Sequence, residues 1–68
     1  MSCYHLMIEM QAKGMTYKKL AQYLNLSEQV LVSKINGETT FTKEEVKHIE
    51  KLFPNHDIAF LLNGSLNE

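Results

Sequence analysis

The sequence predicts an all-α protein, a compact bundle of five short helices with a helix-turn-helix at its centre. Three observations predict it. Tyr17, Leu20, Ala21 and Leu24 fall on one helical stripe, and Leu31 and Ile35 sit four residues apart on the next. Between the two runs stands Asn25, after glycine the residue that best tolerates the left-handed backbone a tight interhelical turn requires. Hydroxyl residues suited to capping, Thr16, Ser27 and Thr42, stand immediately ahead of three of the runs.

The first helix is expected over about residues 2–13, with Ser2 as its cap, Cys3, Leu6, Met7 and Met10 on one stripe, and Gly14 ending it. The methionines of this region suit gap-filling in a core. The second helix is expected over 17–24 behind Thr16, with Ala21 small enough to stand where two helices cross steeply. The third is expected over 28–36. At about 100° per residue, Leu31 and Ile35 face inward, Gln29, Ser33 and Asn36 lie near the centre of the outward face, and Glu28 and Val32 border it. Three consecutive apolar residues, Val30-Leu31-Val32, cannot all face one core, so at least one valine points outward.

Asn36-Gly37 closes the third helix, Gly37 being suited to the left-handed position, and Glu38-Thr39-Thr40 follows as a short polar loop. The fourth helix, over 43–53, has the strongest start signal in the chain. Thr42 and Glu45 are spaced as a capping box, with Phe41 and Val46 as the hydrophobic staple. It buries Val46, Ile49, and Leu52 or Phe53. Pro54 stops it, and Asn55 or Asp57 caps a fifth helix over 56–62 that Asn63-Gly64 closes. Ile58 to Leu62 are five apolar residues in succession, more than one buried face can hold. Ile58, Phe60, Leu62 and the nearby Leu66 are therefore candidates for contact with a second subunit.

Sixty-eight residues make one domain, 1–68, near the lower limit for a core that folds unaided, so a homodimer is the natural expectation. Seven lysines, no arginine and eight acids give a net charge of −1. The charge is unevenly spread. Residues 1–37 hold four lysines against two glutamates, a net of +2, and the remainder holds three lysines against six acids, a net of −3. A mildly basic half permits nucleic-acid binding without demanding it. The single Cys3 excludes an intrachain disulfide, and no His or Cys spacing suggests a metal. No apolar run is long enough for a membrane span and no signal segment opens the chain, which points to the cytoplasm. His5, His48 and His56 are scattered, and no nucleophile-base pair, phosphate-binding glycine loop or carboxylate cluster is apparent, so neither catalysis nor a cofactor is expected.

Met15-Thr16, Leu20-Ala21, Leu24, Leu26-Ser27, Leu31, Ile35, Asn36-Gly37 and Phe41-Thr42 together resemble the Cro/CI-type, XRE-like helix-turn-helix domains of phage and bacterial transcriptional regulators. The resemblance covers roughly residues 5–62. It implies a lambda-repressor-like DNA-binding fold, and a homodimer that recognises a double-stranded DNA operator as a repressor. Transferred residue by residue, it assigns base contacts to Glu28, Gln29, Val32 and Ser33. Phosphate contacts fall to Thr16, Tyr17, Lys18, Lys19, Asn36, Thr39 and Thr40. Tyr17 stands where the family often has a polar amide side chain. Glutamine can pair in two points with adenine, glutamate can accept from cytosine and valine can meet a thymine methyl. The alternative on the same fold is a phage antirepressor or modulator that grips another repressor protein through an exposed apolar surface including Val30, Val32 or the fifth helix.

Overall fold

The structure, a computed structural model, describes residues 3–62, which form five helices and no strand. The cap expected at Ser2, the closing Asn63-Gly64 and the interface candidate Leu66 lie outside the described residues. Helix α1 spans Tyr4–Ala12, α2 Tyr17–Leu24, α3 Glu28–Ile35, α4 Lys43–Leu52 and α5 Ile58–Leu61. The bundle is small and nearly isometric, 28 × 26 × 20 Å along its principal axes.

Three of these helices end the same way, for a reason visible in their last residues. After α1, Gly14 has φ 69°; the Met15 N–H donates to the Met10 carbonyl at 2.8 Å and the Gly14 N–H to that of Gln11 at 3.0 Å. After α2, Asn25 has φ 61°, with the Leu26 N–H on the Ala21 carbonyl and the Asn25 N–H on that of Gln22. After α3, Gly37 has φ 84°, with the Glu38 N–H on Ser33 and the Gly37 N–H on Lys34. Each is the Schellman pattern, in which one left-handed residue lets its own amide and the next satisfy carbonyls the helix leaves open. A single residue thus turns the chain about between α2 and α3, and the two helices pack against each other.

The helix starts are fixed by side chains. Thr16 Oγ1 accepts from the Lys19 N–H at 3.1 Å, Ser27 Oγ from the Val30 N–H at 3.2 Å, and Thr42 Oγ1 from the Glu45 N–H at 3.1 Å. Glu45 reaches back to the Thr42 N–H at 2.9 Å, completing the capping box. Asp57, not Asn55, caps α5, accepting from the Ala59 N–H. The fifth helix is one turn only, shorter than expected. Leu62 already leaves helical geometry, and the chain between Pro54 and Asp57 is a turn.

The core is built from Leu6 and Met10 of α1, Leu20, Ala21 and Leu24 of α2, Leu31 and Ile35 of α3, Ile49 and Phe53 at α4, and Leu61 and Leu62 at α5. Cys3 and Phe41 complete it. The Cys3 N–H donates to the Ile35 carbonyl at 2.7 Å, so the entry to α1 satisfies the exit of α3. Burying one such Leu or Ile is worth about 1.5–3 kcal/mol. A chain of this size has only a few times that in net stability, so every layer matters.

Two expectations are corrected here. Leu62, offered as an interface residue, is fully buried in the core and cannot meet a second subunit; the apolar run splits so that Leu61 and Leu62 turn inward while Phe60 stays 46% exposed. Lys34, counted in the charge of the mildly basic half, is itself buried. On the α3 wheel it lies about 60° from Leu31, on the flank of the inward face.

Candidate nucleic-acid interface

The outer face of α3 is open and nearly flat. Glu28, Gln29, Val32 and Ser33 lie side by side on it, so the four residues assigned to base contacts share one surface. Ser27 caps the helix and leaves its first turn presented to solvent, with Glu28 and Gln29 both exposed. Val32 and Ser33 are half-buried. The sequence placed Ser33 at the centre of the exposed face. Its partial burial goes with the return of the chain after Gly37, which brings the Glu38 N–H onto the Ser33 carbonyl at 2.9 Å. Of the two valines, Val30 is the more outward, 43% exposed, and it lies outside this group.

The start of α2 supplies a different chemistry. Thr16 Oγ1 accepts from the Lys19 amide, leaving the hydroxyl proton free to donate, while the amides of the first turn have no partners within the helix. Lys18 and Lys19 are exposed at that end, where the helix dipole also favours an anion. Tyr17 is half-buried with its ring packed against the core, beside Met7 and Met15. Asn36, Thr39 and Thr40 are all exposed in the turn and loop that follow α3.

The electrostatics differ from the simple charge count. Lys34 Nζ lies 2.9 Å from Glu45 Oε1 and donates to the Thr40 carbonyl at 3.0 Å; the two charged side chains are 10% and 12% exposed. Its charge is spent inside the protein, which lowers the net of residues 1–37 from +2 to +1 at the surface. Exposed Glu28 and Glu38 stand at the two ends of α3. Burial tends to raise the Glu45 pKa, but the Thr42 N–H and the Lys34 ammonium outweigh it and hold the carboxyl below its ordinary value of 4.5.

Each histidine has a neighbour. His5 stacks on Phe60 at 3.9 Å between ring centroids, His48 meets Tyr23 edge-on at 5.7 Å, and His56 Nε2 lies 3.1 Å from Glu9 Oε1. Sequence reasoning missed one surface, the outer side of α1. Tyr4 is 61% and Ile8 43% exposed, and they line a groove of about 370 Å³ with Met7, Gln11, Met15 and Tyr17. The i, i+4 spacing of Tyr4 and Ile8, off the core stripe, was the available signal.

No family model, curated protein or solved structure matches this chain. Among the described residues no helix is long and apolar enough to cross a membrane.

Proposed function

We propose that α2 and α3 form a helix-turn-helix and that the protein is a sequence-specific DNA-binding regulator, a Cro-like repressor of phage or prophage type. The observation that carries this is the grouping of Glu28, Gln29, Val32 and Ser33 on the open outer face of a capped helix. In a major groove, these side chains reach base edges, while the amides and lysines at the start of α2 and the Thr39-Thr40 loop meet phosphates. The protein acts as a homodimer, its two α3 helices about 34 Å apart in successive grooves of a roughly palindromic site. Ile58 and Phe60 are the α5 residues left to form the subunit contact. Because little positive charge is available, affinity is modest and the salt dependence shallow.

Selection of binding sites from random duplexes with purified protein at low salt tests this. One enriched, roughly palindromic sequence is the expected result, and recovery of unselected sequence ends the proposal.

A second function is favoured by two observations, the inward Lys34 and the exposed Val30. On that reading, the protein is an antirepressor or modulator that holds another repressor through an apolar surface. Capture of a repressor that persists after nuclease treatment would support it, whereas capture lost on nuclease treatment supports the operator reader.

A further inference from the structure

Among the described residues Lys34 is the one buried charged side chain, and its bonds connect three segments. It leaves α3 between Ser33 and Ile35. Its ammonium donates to the Thr40 carbonyl at 3.0 Å and to Glu45 Oε1 at 2.9 Å, and lies 5.9 Å from the centroid of the Phe41 ring. The same Glu45 oxygen accepts from the Thr42 N–H at 2.9 Å. One carboxylate oxygen therefore ties the start of α4 to α3, and one ammonium ties α3 to the loop carbonyl at Thr40. The loop is anchored at its ends, by the Glu38 N–H on the Ser33 carbonyl and by the buried Phe41 and the Thr42 cap. Between them Thr39 and Thr40 are exposed, and the bond from Lys34 is the one that holds the Thr40 carbonyl to α3.

We propose that Lys34 and Glu45 are positioning residues for DNA recognition, fixing the Thr39-Thr40 segment relative to the base-reading face of α3. This rests on the DNA-binding function proposed above. Neither side chain touches DNA. Their ion pair sets the offset between a phosphate donor in the loop and Gln29, Val32 and Ser33 on the helix, so that both contacts are made in one docked pose. The geometry also accounts for a lysine placed inward in a protein short of surface cations. A buried pair seldom adds net stability over apolar residues of similar volume, and its best attested use is to hold register.

The test is a scan of the selected duplex with single methylphosphonates, which remove one phosphate charge at a time. For the wild type, one phosphate is expected to matter through the loop, identified because its effect disappears in Thr39→Ala/Thr40→Ala. A hydrogen bond to a charged group is worth about ten-fold or more in affinity. Glu45→Gln keeps an acceptor for the Thr42 N–H but removes the charge that holds Lys34. In it, that one phosphate should lose its effect, while phosphates sensed through Lys18 and Lys19 and the base preference given by Gln29 remain. The paired variant Lys34→Met/Glu45→Gln leaves no buried ion unmatched, is expected to fold, and should show the same selective loss.

A purely structural role predicts a lower melting temperature with every phosphate effect intact in the folded protein. That result overturns the inference, as does a wild-type scan with no loop-dependent phosphate. If the wild type selects no duplex at all, the DNA-binding function has failed and the inference falls with it. The two failures are told apart by whether the wild type binds.

Discussion

Glu45 holds both Thr42 and Lys34 through a single oxygen, 2.9 Å from the Thr42 amide nitrogen and 2.9 Å from the Lys34 ammonium. The carboxylate that caps α4 is therefore also the counter-ion of α3. Desolvation opposes this arrangement, but the two donors prevail and the folded pKa lies below 4.5. A depressed folded pKa means that the stabilisation is fully present above the unfolded value and is lost as pH falls through the folded one. Urea midpoints for wild type and Glu45→Gln should differ most at neutral pH and converge on acidification below 4.5. A gap that stays constant to low pH would show that the charge of Glu45 contributes nothing.

The contacts proposed for DNA separate into two kinds that respond differently to substitution. Gln29 is exposed on the outer face of α3, so Gln29→Ala should leave the fold alone and relax preference at one base position, by about 1–3 kcal/mol. Lys18 is exposed at the start of α2, and Lys18→Ala should weaken all duplexes alike and reduce the salt slope by about 0.9. Competition binding against single-base variants, repeated at several salt concentrations, reads both. Equal effects of the two substitutions on base preference would remove the assignments.

At α5 and the residue after it, the structure divides one apolar run into core and surface. Phe60 is 46% exposed and stacked on His5, whereas Leu62 is sealed in the core. Leu62→Ala should cost about 2–5 kcal/mol in stability. Phe60→Ser should cost far less, about 0.5–1.5 kcal/mol for the lost stack plus some partial burial, yet should shift the protein toward monomer in light scattering. Unchanged mass for a folded Phe60→Ser would exclude this residue from a subunit contact.

What could be read from the sequence was local. Thr42 and Glu45 lie three residues apart and satisfy each other, so the capping box was legible in advance; so was the left-handed Asn25, whose conformation follows from its position after an apolar helical run. Lys34 was not, because its burial depends on Glu45, eleven residues on, and on a loop carbonyl with no sequence signature. The α1 surface escaped for a related reason. Cys3, Leu6 and Met10 account for one face, and nothing in a single sequence says whether Tyr4 and Ile8 on another are covered by the rest of the chain. For the candidate site, the wheel placed Gln29 correctly on the outside but could not show that the chain returns against Ser33.

The left-handed residues allow the turns themselves to be tested. At Gly14, with φ 69°, an added Cβ would meet no atom within 4 Å. Any cost of Gly14→Ala therefore comes from the backbone alone, about 1 kcal/mol, and Gly14→Asn should cost less because Asn visits this region more readily. Asn25, at φ 61°, predicts the converse. Asn25→Gly should be neutral or slightly stabilising, because glycine carries no Cβ penalty there, though its greater freedom in the unfolded chain offsets part of the gain. Asn25→Ala should destabilise by about 1–2 kcal/mol. Chemical denaturation of the four variants provides the ordering. If Asn25→Ala proves as stable as Asn25→Gly, the turn between α2 and α3 does not depend on a left-handed residue. The packing of Leu20 and Leu24 against α3 would then have to set the geometry of that pair without help from the turn.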